Sequence, residues 1–224
     1  ISLQDLILYS SVFTEILPVI FYLVIYTKNK DEGLRVIFYL LVINFLTDVY
    51  GIYSLIIVRT NFVSFNLYVL IETCTLYIFF RSIISDNFIK KVLSYLLLLF
   101  IGFWIFMFVK GGQKEFLYNC STAENIFILV CAIYYYYEKI FLLNQSFIYT
   151  NSRFWVVSAY FINASGTFFL VLYIPDLNAA KQLKYYVLYY MFLIIRSILL
   201  SIAMFMKNND EQKQKFKITQ SSYQ

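Results

Sequence analysis

LKYYVLYYMFLIIRSILLSIAMFM, Leu183–Met206, has one charge at its edge, Lys184, and one near its middle, Arg196. An apolar run longer than about 18 residues reads as a transmembrane helix. A guanidinium at its centre costs roughly 2.5–3.5 kcal/mol on insertion scales, so a partner inside a helical bundle is expected for it.

Composition extends this reading to the whole chain. Of 224 residues, 61% are hydrophobic and only 14% charged, where a soluble domain carries about 25% charged. In lipid, only helices and closed barrels satisfy their own backbone. The apolar runs here are too long, and alternate too little, for barrel strands of about 10 residues. The expected fold is all-α, a bundle of seven transmembrane helices.

The seven spans are Leu6–Thr27, Leu34–Val58, Phe62–Ile84, Val92–Val109, Ser121–Phe141, Phe154–Ile174 and Leu183–Met206. Residues 1–206 then form one membrane domain and residues 207–224 a polar tail. The first residue is isoleucine, which leaves room for a missing start residue or leader. The first apolar run is long enough to span, so it does not read as a cleaved signal.

Basic residues orient the bundle. One side collects Lys28, Lys30, Arg35, Arg81, Lys90, Lys91, Lys139, Arg153, Lys207, Lys213, Lys215 and Lys217. The other has Arg59, Lys110, Lys114, Lys181 and Lys184. This asymmetry predicts a cytoplasmic C-terminus and an outward N-terminus. Attraction to an anionic inner leaflet accounts for the net charge of +5 without a nucleic-acid partner. The clusters Tyr134–Tyr137 and Tyr185–Tyr190 read as interfacial belts, with Tyr189 a candidate to face inward.

Polar residues share one depth. Glu15, Asp48, Glu72, Asn163 and Arg196 all lie near the centres of their spans, whereas scattered ionisable residues favour the cheaper ends. Each sits on a stripe at helical spacing: Ser11, Glu15, Pro18 and Tyr22; Asn44, Asp48 and Gly51; Ser64, Tyr68, Glu72 and Thr75; Tyr160, Asn163, Gly166 and Thr167; Tyr189 and Arg196. Span five has Glu124, Cys131, Tyr135 and Glu138 on one face. These stripes are expected to converge on a midplane cavity. There Arg196 is expected to contact at least one of Glu15, Asp48 and Glu72, directly or through water, and Tyr189 completes a ligand, proton or ion site. Span four, VLSYLLLLFIGFWIFMFV, has no charge and is expected at the periphery, with Leu96–Phe100 exchangeable for other large apolar residues.

The residue inventory narrows the chemistry. No histidine is present, which excludes Ser-His triads and histidine-ligated metals. Cys74, Cys120 and Cys131 lack metal-ligand spacing, so Cys74 and Cys131 read as packing residues. A retinal protein needs a lysine where Arg196 stands. A rhomboid-type protease needs a histidine base. No enzyme, cofactor or metal site is expected.

TEILPVIFYLVIYTK (Thr14–Lys28), NLYVLIETCTLYIFFRSII (Asn66–Ile84) and SRFWVVSAYFINASGTFFLVLY (Ser152–Tyr173) resemble a poorly characterised group of seven-helix inner-membrane proteins of Bacteroidetes. Span two departs from that group in having Asp48 and Gly51 where a glutamate and a glycine are expected. The resemblance implies a bacterial inner membrane and a sensor or signalling component.

Two functional readings follow. In the first, the chain is a receptor-like sensor that binds a small ligand in the midplane cavity and signals to a membrane or cytoplasmic protein. In the second it is a small solute or proton-linked transporter of 3+1+3 helices. FTEILPVIFYLVIYTK and TAENIFILVCAIYYYYEK echo each other through Glu15/Glu124 and Lys28/Lys139. Arg35…Asn44 echoes Arg153…Asn163. A structural subunit of a membrane complex is a third possibility.

Overall fold

A computed structural model describes residues 3–25, 32–57, 62–110, 113–142, 148–174, 177 and 179–206. The polar tail 207–224 and most of the first, second and last interhelical connections lie outside the described residues. Within them the chain is all-helical, in seven long helices: α1 Leu3–Ile25, α2 Glu32–Ile57, α3 Phe62–Ile83, α4 Asn87–Lys110, α5 Gln113–Tyr137, α6 Ser152–Tyr173 and α7 Ala179–Phe205. Four contain stretches long and apolar enough to cross a membrane, within α2, α4, α6 and α7.

Helices α4, α5 and α7 begin before the apolar runs do. Hydropathy finds the part of a helix suited to hydrocarbon, not the hydrogen-bonded turns beyond it. Pro18 is buried within α1, which continues through it. α5 ends in one π turn, Glu138–Leu142.

Six helices form a closed ring in the order α1, α2, α3, α5, α6, α7 and back to α1. α4 lies outside, in the groove between α3 and α5, and α2 touches α6 across the ring. Turning the ring by three places carries α1 to α5, α2 to α6 and α3 to α7, and every neighbouring pair onto a neighbouring pair.

Burial follows the same rule. Aligning Glu15 with Glu124 sets the buried Ser11, Pro18 and Tyr22 on the buried Cys120, Phe127 and Cys131. Aligning Asn44 with Asn163 sets Gly33, Ile37, Leu40 and Gly51 on Ser152, Val156, Ala159 and Leu170. Aligning Glu72 with Arg196 sets Thr73, Leu76, Phe79 and Phe80 on Ser197, Leu200, Ala203 and Met204. Any two helices with one buried face share this period. The ring order, like the buried faces, is compatible with two related halves, as any ring of six helices turned by three places carries neighbours onto neighbours.

The outer surface is apolar. Phe13 and Val24 on α1, Leu98, Leu99 and Phe106 on α4, and Phe169 on α6 are exposed. So large an apolar surface calls for a lipid or protein covering.

α4 is peripheral, and one of its faces is packed. Leu93, Phe100, Trp104 and Met107 are buried, and the Trp104 indole N–H donates to the Asn66 carbonyl at 3.1 Å. Ser94 and Tyr77 share a hydrogen bond of 2.8 Å, which the Arg81 guanidinium joins. The absence of charge says that α4 tolerates lipid, not that every face meets it. Exchanging the exposed Leu98 and Leu99 for other apolar residues is expected to move stability by less than about 0.5 kcal/mol. Phe100→Ala is expected to cost about 3–5 kcal/mol. Thermal unfolding in detergent compares them.

The tyrosine run also needs correction. Tyr135 is fully buried and Tyr136 half-buried, its hydroxyl 2.8 Å from that of Ser158. Tyr137 remains exposed, as an interfacial residue would be. The helical period turns the cluster through all faces of α5.

At the same end, Glu138 ties α5 to the α3–α4 turn. Its Oε1 accepts the backbone N–H of Ser85 at 2.7 Å and of Asp86 at 3.2 Å. Asp86 in turn caps α4 by accepting the Phe88 N–H at 2.7 Å. Glu138→Ala is expected to destabilise by about 1–3 kcal/mol for the stranded donors. Glu138→Gln keeps an acceptor and should cost less. The melting temperatures of the two variants test this order.

Candidate functional site

Inside the ring, Arg196 reaches from α7 to two acids. Nη1 donates to Glu72 Oε1 on α3 at 3.3 Å and Nη2 to Glu15 Oε1 on α1 at 3.3 Å. At least one acidic partner was expected, and two are found: one guanidinium is divided between two carboxylates, not forked onto one. α1 is the ring neighbour of α7, but α3 is opposite, so the Glu72 contact spans the ring. Arg196, Glu72 and Glu15 are 5%, 6% and 2% exposed. At such burial an unpaired charge is strongly unfavourable.

The Tyr160 ring on α6 lies 5.8 Å from the guanidinium carbon, in range of a cation–π contact. Tyr189, two turns before Arg196 on α7, is half-buried and within range of its charge. The Tyr68 hydroxyl faces Glu72 without closing a hydrogen bond of ordinary geometry.

Asp48, half-buried on α2, brings its carboxyl within hydrogen-bonding reach of Glu15. Asn163 is buried on α6, and its Oδ1 has no hydrogen-bond partner among the described residues. The expected site residues thus separate into a direct trio, Glu15, Glu72 and Arg196, with Asp48 on Glu15, Tyr189 near the charge and Asn163 one turn beyond Tyr160.

A fourth acid, Glu124 on α5, belongs to this layer although the sequence-derived site omits it. It is buried, accepts from the Thr73 hydroxyl at 3.1 Å, and lies within electrostatic range of Glu72 and Arg196. Next to it, Asn125 Nδ2 donates to Thr167 Oγ1 at 3.4 Å. The Glu15/Glu124 echo is the signal that points to it. Span five placed Glu124 near a helix end because its apolar run starts late; α5 starts at Gln113, which moves Glu124 inward.

The trio is buried. A groove of about 340 Å³ lies elsewhere, between α1 and α7, lined by Leu17, Phe21, Ile198, Ser201, Ile202 and Phe205. Its lining is almost wholly apolar and faces outward. Among the described residues, no three of His, Cys, Asp and Glu converge to form a metal site. Cys120 and Cys131 are buried thiols and Cys74 a half-buried one.

α6 and α7 approach closely beside this layer. A Cβ added at Gly166 would overlap the Phe192 ring. Gly166→Val is expected to displace that ring and cost about 1–3 kcal/mol. A lowered melting temperature, relieved by adding Phe192→Ala, is the expected result.

The site therefore holds one guanidinium among four carboxyl groups, on the two neighbouring pairs α1–α7 and α3–α5 and on α2. Such a layer can bind protons or a cation, or rearrange its ion pairs as the ring moves. No family model, curated protein or solved structure matches this chain.

Proposed function

We propose that this chain is a small membrane carrier, proton-linked or for a small cationic solute, whose two three-helix halves move about the Arg196 layer. The carrying observation is the ring order α1–α2–α3–α5–α6–α7 with α4 outside. Parallel repeats about an axis along the membrane normal, with the site where they meet, suit alternating access. The excess of carboxyl groups over the single guanidinium favours a cation or proton over an anion.

In this reading all seven helices cross a bacterial inner membrane, with the N-terminus outside and the C-terminus cytoplasmic. α3 and α5 carry buried polar side chains, Glu72 and Thr73, and Glu124 and Asn125, which lower their hydropathy without exposing a charge to lipid. The 22 residues of α3 extend about 33 Å at 1.5 Å each, enough for the ~30 Å hydrocarbon core. The resemblance to the seven-helix Bacteroidetes group fits seven spans in a bacterial inner membrane, while the sensor role it implies belongs to the second reading below; no catalytic role is assigned.

Purified protein in vesicles loaded with a pH-sensitive dye tests this. Under an imposed potential, it should carry protons at a rate altered by external methylammonium, guanidinium or choline. A receptor-like sensor is the second reading, favoured by the burial of the layer. Binding of one of these cations without flux would support it and overturn the carrier.

A further inference from the structure

We propose that the α3–α4 hairpin holds the phosphate of an anionic phospholipid, with Arg81 as its anchor. Arg81 Nη1 donates to the Tyr77 hydroxyl and, at 3.4 Å, to Ser94 Oγ. Its guanidinium carbon lies 5.8 Å from the centre of the Tyr77 ring. These contacts fix an exposed guanidinium against the outer side of the hairpin. Nε and Nη2 make no hydrogen bond among the described residues. That free edge is a planar pair of donors, which matches two oxygens of one phosphate. An arginine already ordered loses less freedom when it binds.

The hairpin brings further charge to the same depth. Tyr77 on α3 and Ser94 on α4 meet at 2.8 Å, and the two helices run in opposite directions. One turn nearer the connection stand Arg81 on α3 and Lys90 on α4. The Ser94 hydroxyl donates to the Lys90 carbonyl at 2.9 Å. Lys91 follows on the exposed side.

The acids at this end are engaged elsewhere. Asp86 accepts from the Phe88 N–H and, at 3.4 Å, from the Tyr134 hydroxyl. Glu138 accepts the N–H groups of Ser85 and Asp86 and lies 3.8 Å from Lys139 Nζ. Among the described residues, no carboxylate forms an ion pair with Arg81, Lys90 or Lys91. Three positive charges on one hairpin therefore favour an anion from outside the chain.

The surroundings select a lipid as the source of that anion. Ile78 on α3, and Tyr95, Leu98 and Leu99 on α4, are exposed apolar side chains that continue from the basic cluster along the hairpin. A free phosphate makes no use of such a surface, whereas acyl chains cover it. Basic pockets between membrane helices take anionic headgroups in this way. This role goes beyond the carrier reading and needs the helices in lipid, not flux.

Native mass spectrometry of the detergent-purified chain tests the site, by titration with phosphatidylglycerol or with phosphatidylcholine of the same acyl chains. Phosphatidylglycerol should bind the more tightly. Lys91→Gln changes an exposed side chain and should weaken that binding by about fivefold, the usual worth of one basic residue near an anionic headgroup. Arg81→Lys keeps the charge and loses the planar donor pair, and it should also weaken binding. Lys110→Gln, at the opposite end of α4, removes the same charge and should leave binding unchanged. Melting temperatures in phosphatidylcholine show that each variant is folded.

Equal binding of the two lipids, or equal losses from Lys91→Gln and Lys110→Gln, would overturn the site in favour of diffuse charge. Unchanged binding in Arg81→Lys would overturn Arg81 as the anchor. Displacement of the lipid by inorganic phosphate at the same concentration would overturn the lipid in favour of a free anion.

Discussion

Arg196→Ala is expected to lose about 3–5 kcal/mol of stability, because both Glu72 and Glu15 are left buried without their counter-charge. The loss should appear as a large fall in melting temperature and in folded yield from detergent extraction. Rescue distinguishes this from lost packing. Adding Glu72→Gln to Arg196→Ala should recover part of the loss, since one stranded carboxylate is removed. Adding Glu15→Gln as well should recover most of the remainder, because replacing a whole buried ion cluster by neutral groups is often close to neutral. The two steps should be unequal to their effects in the wild-type background, as expected for groups in one network. If neither glutamine substitution improves the Arg196→Ala protein, the guanidinium supports the bundle through its aliphatic stem and Tyr160, and the acids are not its partners.

Much of this layer is legible in the sequence. A charge central to an apolar run is unfavourable unless paired, so Arg196, Glu15 and Glu72 stand out by depth alone. The inward faces are equally plain: Ser11, Glu15, Pro18 and Tyr22 recur at helical spacing and are all buried. Periodicity reports which face of a helix is turned inward. It does not report which helix stands opposite, and for that reason the partner of Arg196 stayed open among three acids.

Two misreadings share one physical source. Hydropathy marks where a side chain is content in hydrocarbon, and helices do not stop there. α5 begins eight positions before its apolar run, so Glu124 appeared peripheral when it is central. α4 has no charge, so all its faces looked alike. Yet the Trp104 indole and the Ser94 hydroxyl point at α3, and such directed contacts leave no trace in an average over apolar residues. The 3+1+3 echo, weak when read from residues alone, is compatible with the ring order.

On the two-fold relation of the proposed carrier, Glu72 and Arg196 stand at equivalent places in the two halves. Glu72→Arg alone is expected to be more damaging than Arg196→Ala. It sets two guanidinium groups across the ring and leaves Glu15 as the directly paired acid. Like charges at such burial are costly beyond the loss of a pair, and little folded protein is expected. The double exchange, Glu72→Arg with Arg196→Glu, restores opposite charges across the same span. It also meets a prepared surrounding. In the natural chain, α1 brings Glu15 beside the guanidinium of its neighbour α7. In the exchanged chain, α5 brings Glu124 beside the new guanidinium on its neighbour α3, since α5 stands to α3 as α1 stands to α7. Glu124 already lies within electrostatic range of the Glu72 position and bonds the adjacent Thr73. The double variant should therefore regain a large part of the folded yield and melting temperature lost by Glu72→Arg. Removing Glu124 by Glu124→Gln should harm the exchanged protein more than the wild type, reversing the usual importance of Glu15. Failure of the exchange to improve on Glu72→Arg would show that the two sides of the ring are not equivalent, and the two-fold relation behind the carrier reading would fall with it.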